Sequence, residues 1–270
     1  MIGGRHRERR SPRGWPTVAA VLGAVLLVYY AVPIASLFSA QSPGTVLARL
    51  DDPAVLRAAG TSLAGAVAST TLSVVFGVPL AYWLARTRRR GTGVVTALVV
   101  LPLVLPPVVS GLLLLSIVGP DTHLGAVART LGVPLSRSLA GVVLAQTFVT
   151  SPFVVLASRA AFEGVDRDLE DAAHTLGAGS LDTFRRVTLP LALPGVLAGA
   201  TLAFARAMGE FGATLTLAYY PRTVPIEVWV AFSTQGLDAA YPVAVVLVGV
   251  AVLALAGLFA LGRLGSLPLR

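Results

Sequence analysis

The sequence predicts an all-α polytopic membrane protein with about six transmembrane helices. Three observations carry this reading. Of 270 residues, 55% are hydrophobic and only 13% are charged, where a soluble domain carries about 25% charged residues; the mean hydropathy is +0.80. The apolar residues gather in runs that reach the roughly 20 residues needed to cross a bilayer core. The arginines stand at the ends of those runs. Backbone groups inside lipid find no water to bond, so the runs must be helices.

The first run, 15–38, follows a basic segment from Arg5 to Arg13. A secretory leader has a shorter apolar core and a small-residue cleavage site, so this run reads as a first span. Residues 1–14 then form a basic cytoplasmic N-terminus ahead of one membrane domain, 15–270. Further spans are expected at 58–85, 94–118, 139–158, 190–218 and 240–262. The third carries Leu101-Pro102-Leu103-Val104-Leu105-Pro106-Pro107. Proline lacks a backbone donor and collides with the preceding turn. Pro106 and Pro107 therefore mark a constriction or hinge, with simple curvature as the alternative.

Six spans put both termini on one side. That side holds fifteen arginines: Arg5, Arg7, Arg9, Arg10, Arg13, Arg86, Arg88, Arg89, Arg90, Arg159, Arg167, Arg185, Arg186, Arg263 and Arg270. The other side holds five, Arg49, Arg57, Arg129, Arg137 and Arg222. Basic residues favour cytoplasmic loops, so both termini are predicted cytoplasmic and the chain belongs in the plasma membrane. The net charge of +8 serves orientation, and no nucleic-acid partner is expected.

Between the fourth and fifth spans lies a polar loop, about 159–190. Asp166 can cap a helix whose first turns carry Asp168, Glu170 and Asp171 at the positive end of the dipole. Val165, Leu169, Ala172 and Leu176 recur as one apolar stripe. Gly177 follows as a C-terminal cap. Ser180 can open a second short helix with Leu181, Phe184 and Val187 on one face, and Leu189-Pro190 then starts the fifth span. Such a helix pair either rests on its own bundle or the membrane surface, or docks a partner.

Inside the fifth span, Arg206 and Glu210 stand four residues apart and can pair along one helix face. Ionisable groups at membrane depth face a bundle interior or an aqueous path, so the pair either fixes packing or lines a gate. Ser69, Thr70, Thr71, Ser73, Thr147, Thr150 and Ser151 also fall within spans. They suit transient contact with an anion and suit equally well bonds to their own helices. Gly60, Gly65, Gly77, Gly195 and Gly199 should allow close helix packing. The chain has no cysteine, no G-x-x-x-x-G-K-[ST] phosphate loop and no convergent catalytic set. No catalytic residue, metal ligand or cofactor is expected in it, and a partner must supply the energy.

Asp171-Ala172-Ala173, then Gly177, then Leu189-Pro190 resemble the EAA loop of permease subunits of binding-protein-dependent ABC importers, with Asp171 in place of the usual Glu and Glu170 beside it. The run Phe204-Ala205-Arg206-Ala207-Met208-Gly209-Glu210-Phe211-Gly212-Ala213-Thr214 is similar to the corresponding run of molybdate and tungstate permeases, as are Leu217 to Thr223 and Tyr241 to Ala244. The resemblance implies the type I importer permease fold. It implies an ATPase dimer docked at Glu170, Asp171, Ala172, Ala173, Leu176, Gly177 and Phe184, with ATP and Mg held by that partner. It implies an extracytoplasmic binding protein on the outward segments 39–57, 119–138 and 219–239, and a second permease copy, as a homodimer. Arg206, Glu210, Thr214, Pro106 and Pro107 become candidates for the path or gate. Sulfate or thiosulfate import is the alternative within this class, and a self-sufficient anion channel or secondary transporter the alternative outside it.

Overall fold

The computed structural model describes residues 15–87 and 89–265. The basic segment Arg5–Arg13, together with Arg88 and Arg270, lies outside the described residues. Every element among the described residues is helical. Helix α1 (Trp15–Ser39) is apolar and exposed along nearly its whole length. A short amphipathic α2 (Pro43–Leu50) leads to the long α3 (Pro53–Arg86). Then come α4 (Thr92–Val104), α5 (Pro107–Val118), the short α6 (His123–Thr130) and α7 (Leu139–Glu163). The polar loop contributes α8 (Arg167–Thr175) and α9 (Ser180–Thr183). A π-helical turn, Phe184–Thr188, leads into α10 (Leu189–Met208). The chain closes with α11 (Gly212–Leu217), α12 (Val224–Gln235) and α13 (Leu237–Gly265).

Five of these segments are long and apolar enough to cross a membrane, and six if α4 and α5 count as one broken span. The predicted spans are all found, with three differences in how they run. The third is not a through helix: α4 and α5 meet at 116°. The break falls where prolines placed it, with Pro106 at the N-cap and Pro107 opening α5, a position where the missing N–H costs nothing. The fifth apolar run is also interrupted, because α10 ends at Met208 and α11 is a separate turn and a half.

The third difference lies at the other end of α10. Residues from Ser180 onward do not form an independent second helix but run continuously into the span. Leu189 N–H reaches Phe184 O, five residues back. This wide turn carries the chain helically into Pro190, which has no N–H to offer an α-helical register. Ser180 does not cap: Gly179 occupies that position and supplies no side-chain bond.

The segments expected to face outward are not open loops. Each contains a helix, α2, α6 or α12. Val224 and Ile226 of α12 are fully buried, so 219–239 is largely packed structure.

The core lies between α3, α7 and α10, where Val78, Ala81 and Leu84 meet Val154, Val155 and Phe162 and then Ala192, Val196 and Ala203. Between membrane helices, association depends on close packing rather than on hydrophobic burial, which favours small residues. A Cβ on Gly195 would stand 2.5 Å from that of Ala161, and one on Gly199 2.9 Å from that of Ala157. The backbones of α7 and α10 thus touch. Gly60 was expected to pack in the same way, but no atom lies within 4 Å of its would-be Cβ.

Candidate functional site

Helix α8 is defined at both ends by its own sequence. Asp166 accepts a hydrogen bond from Asp168 N at 3.1 Å, satisfying one of the first-turn donors. At the other end Gly177 takes φ +88°, a left-handed conformation open to glycine. Gly177 N then bonds His174 O at 2.9 Å and Ala178 N bonds Ala173 O at 3.0 Å, the paired bonds of a Schellman ending.

The face beyond this turn is turned away from the bundle. Asp171, Ala172 and Gly177 are exposed and Ala173 is half-buried. Leu169 is 48% and Leu176 89% exposed. Of the predicted apolar stripe, only Val165 is buried.

Glu170 behaves differently from its neighbour. Successive helical residues point about 100° apart, and Glu170 turns inward. Arg86 of α3 donates to its Oε1 from Nη2 at 2.8 Å and from Nε at 3.2 Å. Thr188 of the π-helical turn donates to the same oxygen at 2.5 Å. Arg86 also donates to Phe162 O at 2.9 Å and to Val165 O at 3.4 Å. One guanidinium thereby ties the end of α3 to the end of α7, to α8 and, through Glu170, to the start of α10. Burial works to raise the Glu170 carboxyl, but the Arg86 and Thr188 hydrogen bonds and the charges of Arg86 and Arg167 outweigh it and hold the group below its ordinary value.

Phe184 is also turned inward, with ring centroids 4.9 Å from Tyr82 and 6.0 Å from Phe162. Glu170 and Phe184, expected on the docking surface, are instead turned into the bundle, against Arg86 and Thr188 and against Tyr82 and Phe162. Arg86 and Thr188 were not anticipated as partners of the loop. The signal for Arg86 in the sequence is its place at the end of a span, which speaks to orientation.

At the far end of α10 the two interrupted spans meet. A Cβ on Gly212 would lie 2.9 Å from Pro107 Cβ and 3.0 Å from Val108 N, so α11 sits directly on the start of α5. Glu210, fully buried, pairs with Arg206 at 2.5 Å. Its other oxygen accepts from Ala213 N at 2.8 Å, satisfying a first-turn donor of α11 at membrane depth. Thr214 is buried and bonds back to Glu210 O and Phe211 O. The structure thus brings Pro107 and the turn holding Glu210 to one junction, while the Arg206 side chain remains 31% exposed.

Gln146 belongs to the same region. It is buried and donates to Ala207 O at 3.0 Å, while Ser69 donates to its Oε1 at 3.4 Å. A lone glutamine in an apolar run was the available signal for it. Of the span hydroxyls, Thr71 and Ser73 bond back to their own helix. Thr70, Thr147 and Thr150 find no partner among the described residues.

Comparison with known proteins agrees with this architecture. Residues 77–265 match the family described as binding-protein-dependent transport system inner membrane component. A probable molybdenum ABC transporter permease protein of Haloferax volcanii is 56% identical over 94% of this chain and 93% of its own length. A molybdenum transport system permease protein of Mycobacterium tuberculosis is 40% identical over 97% of this chain and 98% of its own. A molybdate/tungstate transport system permease protein of Pyrococcus abyssi is 39% identical over 86% and 89%.

Among solved structures, a bacterial ABC transporter that imports the acidic polysaccharide alginate superposes with a TM-score of 0.64 over 94% of this chain and 97% of its own, at 17% identity. An inward-facing methionine ABC transporter gives a TM-score of 0.60 over 77% and 94%, at 20% identity. These two speak for the fold alone. A multi-pass helical chain with two interrupted spans, an exposed capped helix between its fourth and fifth spans, and relatives of this identity along nearly its full length belongs to the family of binding-protein-dependent transport system inner membrane components.

Proposed function

We propose that this chain is the permease subunit of an ATP-driven importer of molybdate or tungstate. The observation that carries the reading is α8: a short helix whose apolar tip, Leu176, faces away from the bundle while its root is clamped to three spans through Arg86, Glu170 and Thr188. A helix fixed so firmly from behind and left bare in front is built to receive a partner and to pass its movement on. The names of the relatives above support molybdate and tungstate as cargo.

This reading implies a mechanism. The arginine bias supports a cytoplasmic position for α8 and both termini. An ATPase subunit, holding ATP and Mg, presses on Asp171, Ala172, Leu176 and Gly177. The Arg86–Glu170–Thr188 clamp transmits that displacement to α3, α7 and α10. Helix α10 spans about 30 Å and ends at Gly209, where α11 rests on Pro107 of α5. Tilting it moves this junction, and the path opens toward an extracytoplasmic binding protein that delivers the oxyanion. Two copies of the chain, as a homodimer, present two docking helices to an ATPase dimer. Selectivity resides in the binding protein, because a tight site in the path would retain its ion.

Reconstitution tests this. Proteoliposomes containing the chain, the ATPase and the loaded binding protein should accumulate labelled molybdate or tungstate only with ATP, and excess sulfate should compete weakly. Flux without the ATPase, or strong suppression by sulfate, would overturn the proposal.

A further inference from the structure

A cavity of about 380 Å³ opens at the same end of the bundle as α8, between the ends of α3, α4 and α7. Arg86, Arg159, Arg167, Thr87, Thr92 and Glu163 form its polar wall. Two of the three guanidinium groups are engaged. Arg86 is held by Glu170 at 2.8 Å. Arg159 is held by Glu163 at 2.7 Å and by Thr96 at 2.9 Å.

Arg167 is not engaged in this way. Among the described residues it has no carboxylate partner, and its one hydrogen bond is a 3.5 Å contact to Ala85 O. Three cations against one carboxylate, Glu163, give the lining a net positive charge; Glu170 is spent on Arg86, Asp166 and Asp168 flank Arg167 in the chain, and Arg89 and Arg90 lie in the adjoining connection. Thr92 opens α4, whose N-cap Gly91 offers no side-chain acceptor, so the positive end of that helix also lacks a counter-group.

An arginine fork with unspent donors, in a positive concavity, suits a tetrahedral oxyanion that can accept from it twice. The depth of the cavity narrows the source. Trp83, one turn before Thr87 on α3, is 42% exposed, and exposed tryptophans on spans sit at headgroup level. The cavity opens just beyond that level, where basic pockets between spans take acidic headgroups.

We propose that this cavity binds the phosphate of an acidic phospholipid headgroup. Arg167 is the first residue of α8, and Arg86 is the centre of its clamp. A bound phosphate therefore braces the root of the docking helix against the ends of α3, α4 and α7. The site depends only on the membrane placement of the chain, so its failure and that of the transport reading are separable.

Native mass spectrometry tests the proposal on the full chain released from mixed phosphatidylglycerol and phosphatidylcholine bilayers. Phosphatidylglycerol should be retained preferentially. Arg167→Gln should cut that retention about tenfold, the loss of one charge-assisted pair, and Arg167→Lys should restore part of it. Arg129→Gln, an exposed arginine at the opposite end, should leave it unchanged. Should millimolar inorganic phosphate bind instead, without lipid preference but still dependent on Arg167, the site stands as an oxyanion site and the headgroup assignment falls. Equal retention of phosphatidylglycerol by the wild type and Arg167→Gln, with no phosphate binding that depends on Arg167, overturns the site.

Discussion

Arg86 and Glu170 stand 84 residues apart in the chain and 2.8 Å apart in the fold. Removing one partner of a fully buried pair costs about 3–5 kcal/mol. These side chains keep 14% and 12% exposure, so a cost of about 2 kcal/mol is expected for Arg86→Gln or Glu170→Gln alone. The double variant should lose little more than either single one, giving a coupling above about 1 kcal/mol in a double-mutant cycle of thermal unfolding in detergent. Additive losses would show that the contact carries no energy.

The clamp also predicts a direction in pH. The folded-state value of Glu170 is lowered, so its contribution is complete above the ordinary carboxylate value of about 4.3. It is lost as pH falls through the lowered value. The stability difference between wild type and Glu170→Gln should therefore hold steady from neutral pH to about pH 5 and shrink below about pH 4. A difference that grows on acidification would contradict this.

Gly177 is held by its backbone and not by crowding. No atom lies within 4 Å of its would-be Cβ, yet its φ is +88°. A branched side chain there should cost about 1–2 kcal/mol in strain, while asparagine tolerates this region. Gly177→Val should weaken ATPase co-purification and uptake more than Gly177→Asn, with equal amounts of both in the membrane. Equal co-purification and uptake for the two would mean that the turn is not part of the docking surface.

Glu210 serves two donors, and substitutions separate them. Glu210→Gln keeps an acceptor for Ala213 N but leaves Arg206 without its counter-charge. Glu210→Leu removes both. The first should cost about 2 kcal/mol. The second should cost about 1–3 kcal/mol more, for an orphaned backbone donor. Thermal unfolding in detergent reads the order, and equal losses would show that the α11 cap contributes nothing.

Much of this was legible in the sequence. Span positions follow from a local property, run length, and the break at Pro106 and Pro107 from proline's missing donor. Gly177 announced its bend because few other residues adopt that conformation. The end of α10 at Met208 was not legible. Gln146 satisfies the Ala207 carbonyl at that end and Glu210 the first turn of α11, and both residues could equally sit beside an unbroken helix. Helix α12 was hidden because Val224 packs with Val55 and Ala58 and bonds Ser62 of α3, far away in sequence. The inward turn of Glu170 was hidden for a related reason. Glu170 and Asp171 carry the same charge side by side, and only the position of Arg86, set by the packing of α3 on α7, decides which faces the bundle.

The most direct test of the coupling role uses the absence of cysteine from the chain. Leu176→Cys places a single thiol at the tip of α8. That thiol is expected to cross-link to the ATPase subunit in a nucleotide-dependent way, and to react with a membrane-impermeant maleimide in inside-out vesicles but not in intact cells. Labelling from outside intact cells, or the lack of any cross-link in an actively transporting complex, would contradict the role assigned to α8.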